Sequence, residues 1–152
     1  MSVKFHHQEP IAAPVDRVFQ IFTDIEQYRR EAPRFGGADM TGADLSGTFD
    51  WADFAGADLT GAAIGPRTDQ DDAQFVRRAS LVGANFTAAR LSGMRLVGIA
   101  LKYAKFRGAD VTGVDFRKAN LTLADFSGAD VADADFSGAD LYGANFKDAR
   151  GL

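Results

Sequence analysis

Chemistry has few places to start in this chain of 152 residues. Its two histidines, His6 and His7, stand side by side near the amino terminus, and there is no cysteine. A catalytic triad or a zinc site therefore has almost nothing to build from, and disulfides and thiol chemistry are excluded. Carboxylates are plentiful, but most stand directly before a large apolar residue, as Asp110, Asp115, Asp125 and Asp130 do. An aspartate so placed ordinarily bonds the backbone of an adjacent turn or meets water. Asp69, Asp71 and Asp72 suggest a metal, yet their spacing lacks the rest of a calcium loop and reads as a solvated acidic loop. The glycines recur at fixed offsets and open no phosphate-binding helix. The expectation is a protein that is not an enzyme, with no cofactor and no metal.

Two surface features remain. One is banded charge. Residues 35–72 hold eight Asp against one Arg, and residues 108–152 hold eight Asp against four basic residues. Between them lie Arg77, Arg78, Arg90, Arg95, Lys102, Lys105 and Arg107, with no acid among them. This basic belt would attract an anion or a nucleic acid, but no aromatics interleave it as a stacking platform requires. Direct nucleic-acid binding is not expected, and the simpler reading is a solvated band pairing with neighbouring Asp. The other feature is apolar: Val82, Tyr103, Leu123 and Tyr142. Tyr103 and Leu123 are twenty residues apart, a spacing that matters only if the chain repeats with that period.

It does. Stepping by five from Leu81 lands on Phe86, Leu91, Leu96, Leu101, Phe106, Val111, Phe116, Leu121, Phe126, Val131, Phe136, Leu141 and Phe146, without a slip. Two places before each landing the residue is usually Ala, as at Ala84, Ala104, Ala124 and Ala144. Stepping by twenty preserves residue type: Leu81, Leu101, Leu121 and Leu141, then Phe86, Phe106, Phe126 and Phe146. Helices place apolar residues every three or four positions and ordinary strands every second. A coil of four five-residue sides instead stacks like on like, which is a solenoid. The central residue and the preceding Ala point inward. Gly83, Gly93, Gly113, Gly128 and Gly138 fall at corners, where a positive φ is expected. On the side centred by the Leu column the outward positions include Val82, Tyr103, Leu123 and Tyr142. The other sides show little apolar residue outward beyond Val97. Apolar residues gathered on one face suggest a contact surface, or packing against the loop at 65–78.

The runs GADL, GANF, ADF, ANL and ADV at this spacing resemble the pentapeptide repeat family, over roughly Phe35 to Lys147. The resemblance implies an all-β solenoid, a right-handed quadrilateral β-helix. It also implies one known role, since some members tied to quinolone resistance mimic DNA and bind DNA gyrase. B-DNA carries about one charge per 1.7 Å of axis, so a rod of about five coils would need about fourteen negative charges. The whole chain carries a net −4, interrupted by the basic belt. Gyrase as partner is therefore the second reading, behind a protein-interaction or scaffold module that self-associates, as a homodimer.

Residues 1–34 do not repeat. Val15, Val18, Phe19, Ile21, Phe22, Ile25 and Tyr28 fall at helical spacing after Pro14, which suits a first helical turn. This predicts an N-terminal α-helical cap over the open first coil. The run IAAPVDRVFQIFTDIEQY also resembles the opening of polyketide-cyclase/START-like domains, which would imply ligand binding there if a cavity existed. Phe35, Met40 and Leu45 begin the repeat; Phe49 comes one place early, which predicts a one-residue deletion and a distorted corner near Gly47. Trp51 follows that corner, either beneath the helix, the favoured placement, or exposed as a contact residue. The repeat, 35–152, is interrupted by a loop at about 65–78. The end, FKDARGL, suggests a last coil left bare or covered by another chain. No stretch has the length of a membrane span and no signal peptide opens the chain, so a cytoplasmic protein away from membranes is expected.

Overall fold

The computed structural model describes residues 33–45, 47–64 and 79–152. The expected N-terminal cap, the START-like segment up to residue 32 and the loop at 65–78 lie outside them. What is described is a parallel β-solenoid. Regular strand is minimal, with β1 (Asp44–Leu45) and β2 (Ala63–Ile64) paired in parallel. Single parallel bridges do the rest, and they give the period directly. Ser80 pairs with Ala100, Ala100 with Asn120 and Asn120 with Asp140, twenty residues to a coil.

The two irregularities read from the sequence are located by the same pairings. Arg34 pairs with Asp53 and Asp39 with Asp58, a coil of nineteen. The missing residue falls at Gly47, whose φ of 126° departs from the 61–69° of Gly93, Gly108 and Gly113. The next coil is thirty-two residues on, with Thr48 paired to Ser80 and Asp58 to Arg90. Twelve residues beyond a normal coil are thus inserted without disturbing the stacking on either side.

Each column is held by inter-coil backbone bonds and by its own side chains. Phe86 N–H donates to the Lys105 carbonyl at 2.7 Å and Phe106 N–H to the Asp125 carbonyl at 2.7 Å. Four columns of central residues fill the interior. Phe35, Phe54, Phe86, Phe106, Phe126 and Phe146 stack face to face with centroids 4.6–5.0 Å apart, about the spacing of paired strands. Phe116 meets Phe106 and Phe126 edge-on from the adjacent side. Alanine fills most of the remaining inward places, but Met94, Ile99 and Val114 sit there fully buried as well. The small-residue rule is thus local rather than uniform. No polar or charged side chain is buried among the described residues.

The aspartate or asparagine before each central residue caps its own corner. Asp110 accepts from the Thr112 N–H at 3.0 Å, Asp130 from Ala132 at 3.2 Å, and Asn145 from Lys147 at 3.0 Å. The Thr41 hydroxyl and backbone N–H, both bonded to the Asp39 carboxylate, hold its pKa below the ordinary value. Asp115 is lowered likewise, chiefly by the Arg117 guanidinium. A bond that needs the ionised or amide form explains why Asp and Asn predominate at this place, although Arg90, Arg95, Ala100 and Lys105 also stand there.

Candidate protein-interaction surface

The corner two places after each central residue is left-handed throughout. Glycine takes it at Gly83 (φ 68°), Gly93 (69°) and Gly113 (65°), as expected. Seven non-glycine residues take it too: Trp51, Ala88, Tyr103, Lys118, Leu123, Asp133 and Asp148. An L-residue there costs about 1–2 kcal/mol relative to its ordinary conformation. Trp51, Tyr103 and Leu123 are the bulky apolar members of this set, and the fold places all three in one column. Trp51 N–H donates to Val82, Gly83 to Lys102, Tyr103 to Thr122 and Leu123 to Tyr142, at 2.8–3.0 Å. The column therefore runs Trp51, Gly83, Tyr103, Leu123, Gly143, with Val82 and Tyr142 in the column beside it.

Trp51 is 59% exposed, Tyr103 42%, Leu123 46% and Tyr142 78%; the other large exposed apolar residue among those described, Leu152, ends the chain on a different side. Val82 is half-buried. The two glycines of the column are spaces that side chains occupy. A Cβ on Gly83 would fall inside the Trp51 indole, and one on Gly143 would lie 2.7 Å from Leu123 Cδ2. Trp51 and Leu123 each lean over the next coil, so the face is a continuous stripe and not a set of isolated knobs. Its charges are few: Lys102 Nζ sits 4.9 Å above the Tyr103 ring, and Asp50 accepts from the Ser80 hydroxyl and the Val82 N–H. Gly83→Ala is expected to cost about 1 kcal/mol or more, from strain at positive φ. It should also shift the Trp51 fluorescence by displacing the ring; thermal unfolding and emission spectra check both effects.

All four apolar residues read from the sequence fall on this side of the solenoid. Trp51 was not placed with them. The signal was present, since Trp51 follows Phe49 as Tyr103 follows Leu101, but a nineteen-residue coil and a thirty-two-residue step hid the shared column. The structure leaves Trp51 exposed among the described residues.

The basic belt is distributed around the rod, not gathered into a patch. Arg90 pairs with Asp58 of the preceding coil at 3.2 Å, and Arg107 with Asp125 of the following coil at 3.5 Å. Arg95 acts on Asp115 through charge. Lys102 lies on the apolar side, and Lys105 is exposed beside the Phe106 column. Arg77 and Arg78 fall outside the described residues. Such exposed pairs contribute little stability, but they place opposite charges at successive heights on the same side. Among the described residues no group of His, Cys, Asp or Glu is placed to hold a metal ion, and no helix is long and apolar enough to cross a membrane. His6, His7, Asp69, Asp71 and Asp72 are not among them.

A four-sided parallel solenoid with Asp- and Asn-capped corners at five-residue spacing defines a repeat class. The chain belongs to the pentapeptide repeat family. It matches the pentapeptide repeat region over residues 68–146 and the eight-copy pentapeptide repeats over residues 34–62. The family fold is the right-handed quadrilateral β-helix. Among solved structures it is similar to alr5209, a pentapeptide repeat protein from Nostoc PCC 7120, with 23% identity, 84% of this chain and 95% of that chain covered, and a TM-score of 0.57. It is also similar to HetL, a pentapeptide repeat protein involved in heterocyst differentiation regulation in the cyanobacterium Nostoc sp. strain PCC 7120. There the identity is 28% over 78% of this chain, with a TM-score of 0.43, and the chain spans 62% of HetL's length. QnrB1, a plasmid-mediated fluoroquinolone resistance protein, is 26% identical over 76% of this chain and 78% of that one, with a TM-score of 0.24. Among curated proteins none matches. The START-like resemblance at residues 10–34 falls almost wholly outside the family matches.

Proposed function

We propose that this protein is a non-catalytic scaffold whose Leu-column side is its protein-binding surface, and that a second copy of the chain is one partner it binds. The observation that carries this reading is the stripe of Trp51, Tyr103, Leu123 and Tyr142. Three of these side chains occupy a strained corner that Gly would fill more cheaply, and they gather on one side of a rod whose other sides are polar. Strain retained where it presents exposed apolar surface is a mark of function rather than of stability. Tyrosine and tryptophan, apolar rings with a polar edge, suit an interface that forms and dissociates.

The test is molar mass by light scattering across concentration and salt. The wild-type chain should dimerise with little dependence on salt, because apolar contact is not screened. Tyr103→Asp with Leu123→Asp should return the monomer. Asp tolerates the left-handed corner and already holds it at Asp133 and Asp148 (φ 57° and 59°), so the variant loses the surface without new strain. Unchanged mass and unchanged partner binding in that variant would sink the proposal. The DNA-mimic reading ranks second. Alternating ion pairs such as Arg90–Asp58 and Arg107–Asp125 weigh against a uniformly anionic, DNA-like rod. Altered supercoiling by DNA gyrase, with or without quinolone, would reverse that order.

A further inference from the structure

Charges alternate along both flanks of the apolar stripe, and their order carries information. On one flank Asp50, Val82, Lys102 and Thr122 directly precede Trp51, Gly83, Tyr103 and Leu123. The other flank lies across the inward Ala52, Ala84, Ala104 and Ala124. There parallel pairing stacks Arg34, Asp53, Asn85, Lys105 and Asp125 in one column. The coil of Trp51 therefore bears an aspartate on each flank, and the coil of Tyr103, two coils on, bears a lysine on each. At the coil of Gly83 between them the same places hold the neutral Val82 and Asn85. Arg34 and Asp125 extend the pattern by one coil in each direction. The second flank thus reads basic, acidic, neutral, basic, acidic, and its signs reverse about the Gly83 coil.

These groups are placed to meet another molecule. Arg34 and Lys105 are exposed and Lys102 is half-buried. Asp50 and Asp53 each commit Oδ1 to their own rod, Asp50 to Ser80 and Val82, and Asp53 to Ala55 and Asn85. That fixes each carboxylate and leaves its second oxygen to accept. Within one chain the aspartate and lysine of each flank stand two coils apart, about 10 Å, with Val82 or Asn85 between them.

We infer that the second copy lies antiparallel across the stripe, about a two-fold axis at the Gly83 coil, and that Asp50, Asp53, Lys102 and Lys105 select this pairing. The inference rests on the stripe being the protein-binding surface proposed above, and it names how that partner is held. Such an axis lies in the interface, perpendicular to the rod. It lays the Trp51 coil of one copy on the Tyr103 coil of the other and keeps each flank against its own kind. Asp50 then meets Lys102 twice, Asp53 meets Lys105 twice and Trp51 meets Tyr103 twice, with Arg34 facing Asp125 beyond them. On the axis Val82 meets Val82, and the absent side chain of Gly83 leaves room for the Trp51 indole that leans over it. A parallel two-fold arrangement instead lays each coil on its own copy, aspartates against aspartates and lysines against lysines. Moving the antiparallel axis to the Tyr103 coil sets Lys102 on Lys102 and Lys105 on Lys105. Like charges set face to face cost more than exposed ion pairs return. The flanks therefore choose the register, and the apolar stripe supplies the affinity.

Lys102→Glu with Lys105→Glu tests this, since neither lysine caps a corner. In the inferred arrangement every Asp–Lys contact becomes a like pair, so the dimer dissociation constant at low salt should rise about tenfold or more. Added salt should restore part of the loss. Adding Asp50→Asn and Asp53→Asn removes the opposing charge and should recover most of it, because Asn keeps the oxygen with which each residue serves its own rod. The chain has no cysteine, so single thiols report the axis. With a bismaleimide spanning about 10 Å, the distance between packed β faces, Val82→Cys should link two copies and Thr122→Cys should not. A wild-type chain that is monomeric at every concentration would overturn the inference. So would a charge-reversed variant that dimerises as well as its parent, or Thr122→Cys linking as readily as Val82→Cys, the mark of a parallel pair. If either of the last two results accompanies a monomeric Tyr103→Asp/Leu123→Asp, the binding surface stands and only its register is wrong. If that variant leaves mass and partner binding unchanged, the surface itself fails.

Discussion

Phe106→Ala is expected to destabilise the protein by about 3–5 kcal/mol, the range for truncating a fully buried aromatic residue. Phe106 is completely inaccessible. It is stacked on Phe86 at 5.0 Å and on Phe126 at 4.6 Å, and met edge-on by Phe116 at 5.6 Å. The cavity cannot easily collapse, because the backbone at each coil is tied to the coils on both sides. Phe106 N–H bonds the Asp125 carbonyl, and Lys105 N–H bonds the Ala84 carbonyl. In a solenoid each coil depends on its neighbours, so the loss should appear as reduced cooperativity as well as a lower midpoint in urea. Phe146→Ala removes the same ring from a half-buried position and should cost clearly less. Equal losses would remove the stacked Phe column from its place as the main stabilising element.

The period was legible because a solenoid writes its geometry into the chain twice, once as the five-residue side and once as the twenty-residue coil. Leu81, Leu101, Leu121 and Leu141 had to match because each is the next one's packing partner. The nineteen-residue coil was legible as well, since Phe49 arrives one place early. The conformation of the corners was only half legible. Glycine at Gly83, Gly93 and Gly113 advertises a positive φ, but Tyr103 and Leu123 take the same φ because the inter-coil bonds on both sides impose it, and Trp51 takes it with its N–H bonded to the Val82 carbonyl of the following coil. Tertiary pairing overrides local preference here, and no propensity argument would have found it. The apolar stripe was visible where spacing was regular, at Tyr103 and Leu123. It was invisible at Trp51, where two breaks in register separate residues that the backbone bonds bring into one column. The pairing of the basic belt was hidden for a similar reason: Arg90 and Asp58 are neighbours only across the insertion.

These observations divide the surface by role. The Asp- and Asn-bearing positions face outward, yet their side chains are spent on corner backbone, as at Asp110, Asp130 and Asn145. Their frequency reflects folding. Residues that a corner does not need are the ones free to carry function, and on the Leu-column side they include Trp51, Val82, Tyr103, Leu123 and Tyr142.

Ala104→Asp is the second large expected effect, and its pH dependence runs opposite to that of the parent. Ala104 is fully buried in the column between the Leu and Phe sides, where no polar side chain is buried to receive a charge. An uncompensated carboxylate there should cost about 3–5 kcal/mol at neutral pH, and burial will push its pKa up. Protonation lets the neutral acid be tolerated better, so the loss relative to wild type should shrink as pH falls toward about 4. The wild-type protein should behave in the reverse sense. The folded pKa of Asp39 is lowered by Thr41 and that of Asp115 by Arg117. A lowered folded pKa contributes stability above the unfolded value of about 3.9, and that contribution is lost as pH falls through the folded value. Urea unfolding at neutral pH and near pH 4 should therefore show the two proteins converging, the parent weakening slightly while the variant regains part of its deficit. A deficit independent of pH would mean that the Ala104 position admits water, and that the small-residue columns are not the dry axis of the rod.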